Sequence, residues 1–172
     1  MKNLEKDKLE SLLSIMGDNP LQQIVHFSNG GETLVDMLHH YCEPKAYQYE
    51  INAIENTFYE ETKEKFKNSQ TTVVRNFSLE RKSYLIQAKQ YNFAFISIDI
   101  QDDFKEDFLR RVHRIILNAG NILIFIPKSN ISERYRWIDL LEETYYVATS
   151  TIDDLFEHYD VIISKKMHGW GS

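Results

Sequence analysis

Phe93-Ala94-Phe95-Ile96-Ser97-Ile98 decides the fold. The run is apolar almost without a break. A strand of that kind is covered on both faces, as in a parallel sheet between helical layers. Working outward, strand and helix alternate. Asp99-Ile100-Gln101-Asp102-Asp103 leads into a helix predicted to reach Leu117, and Asn118-Ala119-Gly120 ends it, with Gly120 suited to a left-handed cap. Residues 121–126 read as the strongest strand, closed by Pro127 and Lys128. A helix from Ser132 then carries Tyr135, Trp137, Ile138, Leu140 and Leu141. Residues 145–149 and 159–164 read as two further strands, with a turn of helix over 152–158 between them. So short a link suits an antiparallel pair.

Upstream, residues 23–27 form a strand closed by Ser28-Asn29-Gly30-Gly31, and residues 32–41 a helix with Leu34, Val35, Leu38 and Tyr41 on its apolar face. Residues 46–49 read as a short second strand ending at Glu50, residues 51–66 as a helix, and β-branched residues 71–74 as a third strand. Ser78 begins a helix running to about Gln90. Residues 1–16 read as a leading helix, with Leu4, Leu9, Leu12, Leu13 and Met16 suited to covering the sheet, and Gly17-Asp18-Asn19-Pro20 ends it. The sum is an α/β fold with a mostly parallel sheet and right-handed crossovers. No linker divides it: 172 residues read as one domain, with an arm (1–20), a core (21–167) and a tail (168–172).

Composition removes several functions. Twenty Lys and Arg against 26 Asp and Glu give a net charge of −6, which argues against general nucleic-acid binding. The basic cluster of Arg110, Arg111, His113 and Arg114 follows Asp102, Asp103, Glu106 and Asp107 in one helix, the order that the helix dipole favours. Cys42 is the sole cysteine, so neither an intrachain disulfide nor a cysteine metal cluster forms. His39 and His40 are adjacent and diverge on a helix, and no HExxH spacing occurs, so no metal is expected. The longest apolar run, residues 122–126, is far below the roughly 20 residues that span a bilayer. The opening MKNLEKDKLE mixes charges without an apolar signal core, so a soluble, cytoplasmic protein is expected.

In open α/β sheets ligands bind beyond the carboxyl ends of the strands. Gly30-Gly31 suits a tight turn with close backbone approach, either for a ligand or simply to start a helix. Glu50, about 20 residues after the glycines, is placed to accept from ribose hydroxyls or to favour a helix start. Asp99 suits an amine, a nucleophile or a metal, and equally a helix cap. Phe77, after the third strand, is a candidate platform for an adenine ring. His26 reads as a packed or edge residue of its strand.

This order of elements resembles the class I S-adenosylmethionine-dependent methyltransferase superfamily, with its spermidine-synthase relatives, over residues 21–167. The resemblance implies a three-layer Rossmann-like fold whose seven-stranded sheet has one antiparallel strand at its C-terminal end. It implies S-adenosylmethionine as cofactor, with Ser28, Gly30 and Gly31 at the first motif, Glu50 as the ribose-binding acid, and Asn76-Phe77 at the adenine-binding turn. Residues 91–99 resemble the fourth-strand motif with its terminal acid, Asp99, as the group orienting a reactant. Residues 117–123 resemble the helix end, glycine turn and fifth strand. The first motif is degenerate. His26 stands for its acid, Ser28 for its first glycine and Glu32 for its third, and only Gly30 is retained. The proline-rich motif of amino- and adenine-directed members is absent after Asp99. The resemblance therefore implies either a small methyltransferase acting on a small-molecule or protein acceptor, or a noncatalytic relative working through protein contacts or another small ligand. The leading helix and Trp170 suit a homo-oligomer, and the His168–Trp170 tail suits a cover for a pocket or an interface.

Overall fold

Seven strands form one sheet in the order β3-β2-β1-β4-β5-β7-β6. They are β1 (Gln23–Ser28), β2 (Gln48–Ala53), β3 (Thr72–Asn76), β4 (Tyr91–Ile96), β5 (Ile116–Pro127), β6 (Val147–Ile152) and β7 (Tyr159–Lys165). Strands β1 to β5 pair in parallel, and β7 runs antiparallel to both β5 and β6. The computed structural model describes residues 1–84 and 90–167.

Two apolar cores account for the layers. On one face, Ile24, Tyr49, Ile51, Phe93, Phe95 and Leu123 meet α1 (Lys6–Leu13), α2 (Glu32–Cys42) and the region of α3 (Asn56–Lys65). On the other, Val25, Phe27, Ala94, Ile96, Ile122 and Ile124 meet α4 (Asp102–Ile115) and α5 (Ile131–Glu143). Successive residues of a strand point to opposite faces. Both parities are apolar in β1, β4 and β5 because each face has its own helices. This is the expected three-layer architecture, with its antiparallel strand at the C-terminal end.

Local readings differ in five places. Residues 1–5 are not helical, and α1 begins at Lys6. Strand β2 continues three residues past Glu50, to Ala53. Residues 77–84 make turns rather than a helix, and the remainder of that expected helix, 85–89, lies outside the described residues, as does the tail at 168–172. The segment 153–158 is irregular. Finally, α4 stops at Ile115, and Ala119 rather than Gly120 takes the left-handed conformation, with φ +66°. The Ala119 N–H donates to the Lys166 carbonyl at 2.8 Å, which stabilises that conformation. The free edge strand β6 is also kinked: its pairing shifts between Val147 and Ser150, and Ala148 has φ +53°.

The basic cluster of α4 is largely committed within the fold. Arg110 pairs with Glu106 at 2.9 Å, and Arg111 reaches Asp107 at 3.7 Å and donates to the Leu79 carbonyl at 2.7 Å. His113 is buried against Tyr146.

Gly120 is required by space, not by φ. A Cβ there would fall 2.4 Å from Ile116 Cγ2 and 2.9 Å from the carbonyl oxygens of Asn92 and Leu117. Gly120→Ala is therefore expected to cost about 1–3 kcal/mol. Scanning calorimetry would read this as a fall in Tm of at least about 2 °C, and an unchanged midpoint would contradict the crowding argument.

Candidate functional site

Chain connections leave β1 towards β2 and β3 on one side, and leave β4 towards β5 and beyond on the other. The order therefore reverses between β1 and β4, which pair with Phe27 opposite Ile96. A crevice opens beyond the carboxyl ends at such a point. On its β1 side the Ser28 hydroxyl donates to the Gly30 carbonyl at 2.7 Å, and the Gly30 N–H approaches that hydroxyl at 3.3 Å. Gly30 and Gly31 take φ of +147° and +83°, conformations that side chains disfavour, so the turn presents bare backbone. Asn29 Oδ1 accepts from the N–H groups of Ile54 (2.9 Å) and Glu55 (3.0 Å) and ties this turn to the one after β2.

On the β4–β5 side lies a cleft of about 310 Å³, whose lining includes Met1, Ser97, Asp99, Phe125, Glu133 and Trp137. Glu133 is tied down: it accepts from Lys105 Nζ at 2.8 Å and from the Trp137 indole N–H at 3.0 Å. Asp99 is exposed, and Gln101 rather than Asp99 occupies the N-cap of α4. The cleft thus combines aromatic walls with an exposed carboxylate that caps no helix. Met1 also reaches the opposite side. A Cβ on Gly31 would stand 2.9 Å from the Met1 sulfur, so this side chain lies between the glycine turn and the cleft.

Beneath the crevice runs a buried polar chain. His26 is 0% exposed, with Nδ1 2.7 Å from the Tyr49 hydroxyl and Nε2 2.7 Å from the Ser97 hydroxyl. A neutral imidazole donates through one nitrogen and accepts through the other, and a hydroxyl can take either role. The chain is therefore satisfied without charge. Burial pushes the imidazole down to about 3 and the Tyr49 phenol well above its usual range. His26 is thus a packed residue, held neutral between two hydroxyls. It fixes the end of β4 against β1 and β2.

Of the residues read from sequence, Asp99 lines the cleft and Gly31 meets Met1, which lines it too, whereas Ser28 is buried and Gly30 lines a separate cleft with Glu32 and Glu55. Glu50 does not stand at a strand end. It sits inside β2, opposite Val25 and Val73, 6% exposed. Its carboxylate accepts from Arg75 Nε and from the Tyr91 hydroxyl, each at 2.5 Å. Ala53 ends β2 instead. Phe77 is buried edge-on against Phe27, 4.9 Å between centroids, and offers the crevice no open face. Asn76 is exposed and bonds Asn56 at 3.3 Å. Sequence reading missed Met1 and Ser97, and placed Asn29 in the turn without its bracing role. The available signal was His26, a polar group in an apolar strand that must find partners.

No family model and no curated protein matches the chain. Solved structures do. A methyltransferase dependent on S-adenosylmethionine from Aquifex aeolicus superposes with TM-score 0.75 at 10% identity, over 91% of this chain and 88% of that one. The fold is that of the class I methyltransferases. N-methyltransferase NodS of Bradyrhizobium japonicum matches with TM-score 0.68 at 7% identity, over 95% and 96%. The CurJ carbon methyltransferase gives TM-score 0.70 at 12% identity over 94% of this chain, which spans 54% of that structure's length. It likewise spans half of the citrinin polyketide synthase methyltransferase domain. Among the described residues no helix is long and apolar enough to cross a membrane.

Two measurements test the site's framework. The folded state excludes a proton from His26 that the unfolded chain binds below about pH 6.5, so this contribution is lost as pH falls from 6.5 towards 3. Urea titrations should show a loss of roughly 3 kcal/mol by pH 4 from this group, and His26→Gln should flatten that part of the slope. Separately, Glu50→Ala strands Arg75 and the Tyr91 hydroxyl, and should cost about 2 kcal/mol in urea unfolding. A Glu50→Ala midpoint equal to that of the parent would show that the pair contributes nothing.

Proposed function

We propose that this protein binds S-adenosylmethionine in the crevice between β1 and β4 and transfers its methyl group to an acceptor entering beside Asp99. One observation supports the reading: at the reversal point of a methyltransferase-ordered sheet, Met1 rests on the bare backbone of Gly31 and also lines the cleft that holds Asp99. The amino-acid end of the cofactor fits this turn, because Gly31 already accommodates a methionine thioether, that of Met1. Bound there, S-adenosylmethionine supplies a methyl group on a sulfonium, an electrophile that needs positioning more than activation. Asp99 would orient the acceptor through its exposed carboxylate, while Phe125 and Trp137 keep the wall dry. Glu50 has no part in this proposal, since its carboxylate is held by Arg75 and Tyr91. The acceptor is a small molecule or a protein. The structural neighbours include C-, O- and N-methyltransferases, so the fold does not choose among acceptor chemistries.

A noncatalytic role is the second reading, favoured by a specific pair of bonds. Asn29 closes the gap between the β1 and β2 turns, and Ala53 offers no acceptor for a ribose where β2 ends. Glu32 also opens α2 with a negative charge next to the site of a cofactor carboxylate.

Isothermal titration with S-adenosylmethionine and S-adenosylhomocysteine separates the two. The first reading expects binding in the micromolar range, lost in a Gly30→Val variant that still unfolds cooperatively. Absence of heat with both compounds, from a chain that melts normally, would establish the noncatalytic reading.

A further inference from the structure

Residues 1–5 cross the crevice instead of extending α1. Met1 seats its side chain on Gly31, with sulfur, Cβ and Cγ 2.9, 3.3 and 3.4 Å from the position of a Gly31 Cβ. The Lys2 N–H donates to the Tyr159 hydroxyl at 2.7 Å, at the start of β7. Leu4 is 5% exposed and joins the core of α1 and α2. The Glu5 carboxylate accepts from the Glu157 N–H at 3.0 Å. Five consecutive residues thus run from the turn after β1 to the ends of β5 and β7, held at both ends. Met1 and Lys2 make the bridge from the turn after β1 to the start of β7.

The anchors are unequal. Leu4 buries its apolar side chain in the core shared with α1 and α2, which holds that end of the segment firmly. Met1 remains 40% exposed, and its side chain rests against Gly31 in the space that the missing Cβ leaves. A seat of that kind forms and opens without disturbing either core.

We propose that residues 1–5 are a self-occupying strap, in which Met1 fills the cradle at Gly31 and must leave before a ligand carrying a methionine-like sulfur can enter. This rests on the reading that the crevice takes S-adenosylmethionine. The strap holds the same kind of side chain that such a ligand presents, at the same bare backbone, so the two cannot be seated together. Occupancy by the strap lowers apparent affinity by the fraction of time that the cradle is filled. A strap seated nine-tenths of the time weakens binding about tenfold.

The test uses the full chain with its methionine methyl groups labelled with carbon-13. Four methionines are present, so the Met1 signal is assigned by substituting Met16, Met37 and Met167 in turn. In the ligand-free protein the Met1 methyl should resonate away from its random-coil position, and Leu4→Ser/Glu5→Ala should return it there. S-adenosylhomocysteine added to the parent should move it to the same place, and the double variant should bind that compound about tenfold more tightly. Equal affinities, with the Met1 signal unmoved by ligand, would overturn the strap and leave the methyl-transfer reading standing. A Met1 signal already at its random-coil position would also overturn it. Failure of both parent and variant to bind would sink the functional reading, and the strap's role as competitor with it.

Discussion

Strands β1 and β4 lie side by side although their chain connections leave in opposite directions, and the rest of the molecule depends on that adjacency. Direct pairing places Phe27 beside Ile96, and His26 joins the hydroxyl of Tyr49 on β2 to that of Ser97 just past β4. Three central segments are therefore held by one neutral, fully satisfied polar chain in an apolar face. An unmatched imidazole in that position would cost more than any hydrogen bond it made. Because both partners are hydroxyls, the ring is satisfied with no charge buried. The same chain reaches the cleft, whose lining includes Ser97 beside Asp99.

Legibility followed burial. The runs at 93–98 and 121–126 are apolar at both parities because they sit between two helical layers, and a sequence that satisfies two cores has little choice of structure. Readings failed where a residue's chemistry allowed two local answers. Glu50 looks like the end of a strand because it is charged, yet Arg75 on β3 and Tyr91 on β4 satisfy it inside the sheet. Neither partner is near it in sequence, so no local pattern could reveal them. Gly120 looks like a helix cap, but the left-handed residue is Ala119, which the Lys166 carbonyl holds there. In each case a long-range contact overrode a local preference.

The candidate site was legible in part for the same reason. A glycine pair after a strand announces a tight turn whatever the turn is for, and Asp99 follows a strand that could hardly be misread. Phe77 was different. An aromatic after a strand can face a ligand or a core, and the nearby rings of Phe27 and Tyr84 draw this one inward. Asn29 shows how a turn can be closed by one side-chain oxygen serving two amides, so that what looks like a loop awaiting a ligand is already braced. The neighbours in fold share the frame of the sheet at 7–12% identity. At that distance similarity speaks for the backbone path and leaves the site's chemistry to its own residues.

The kink in β6 has a consequence for the company this molecule keeps. An outermost strand with a straight row of amides and carbonyls is a template on which a stranger can continue the sheet. Here the row is broken at Ala148 and its pairing slips before resuming at Ser150. Any newcomer would have to copy that defect to add itself there, so the flaw at the margin works as a fence against fibril-like stacking.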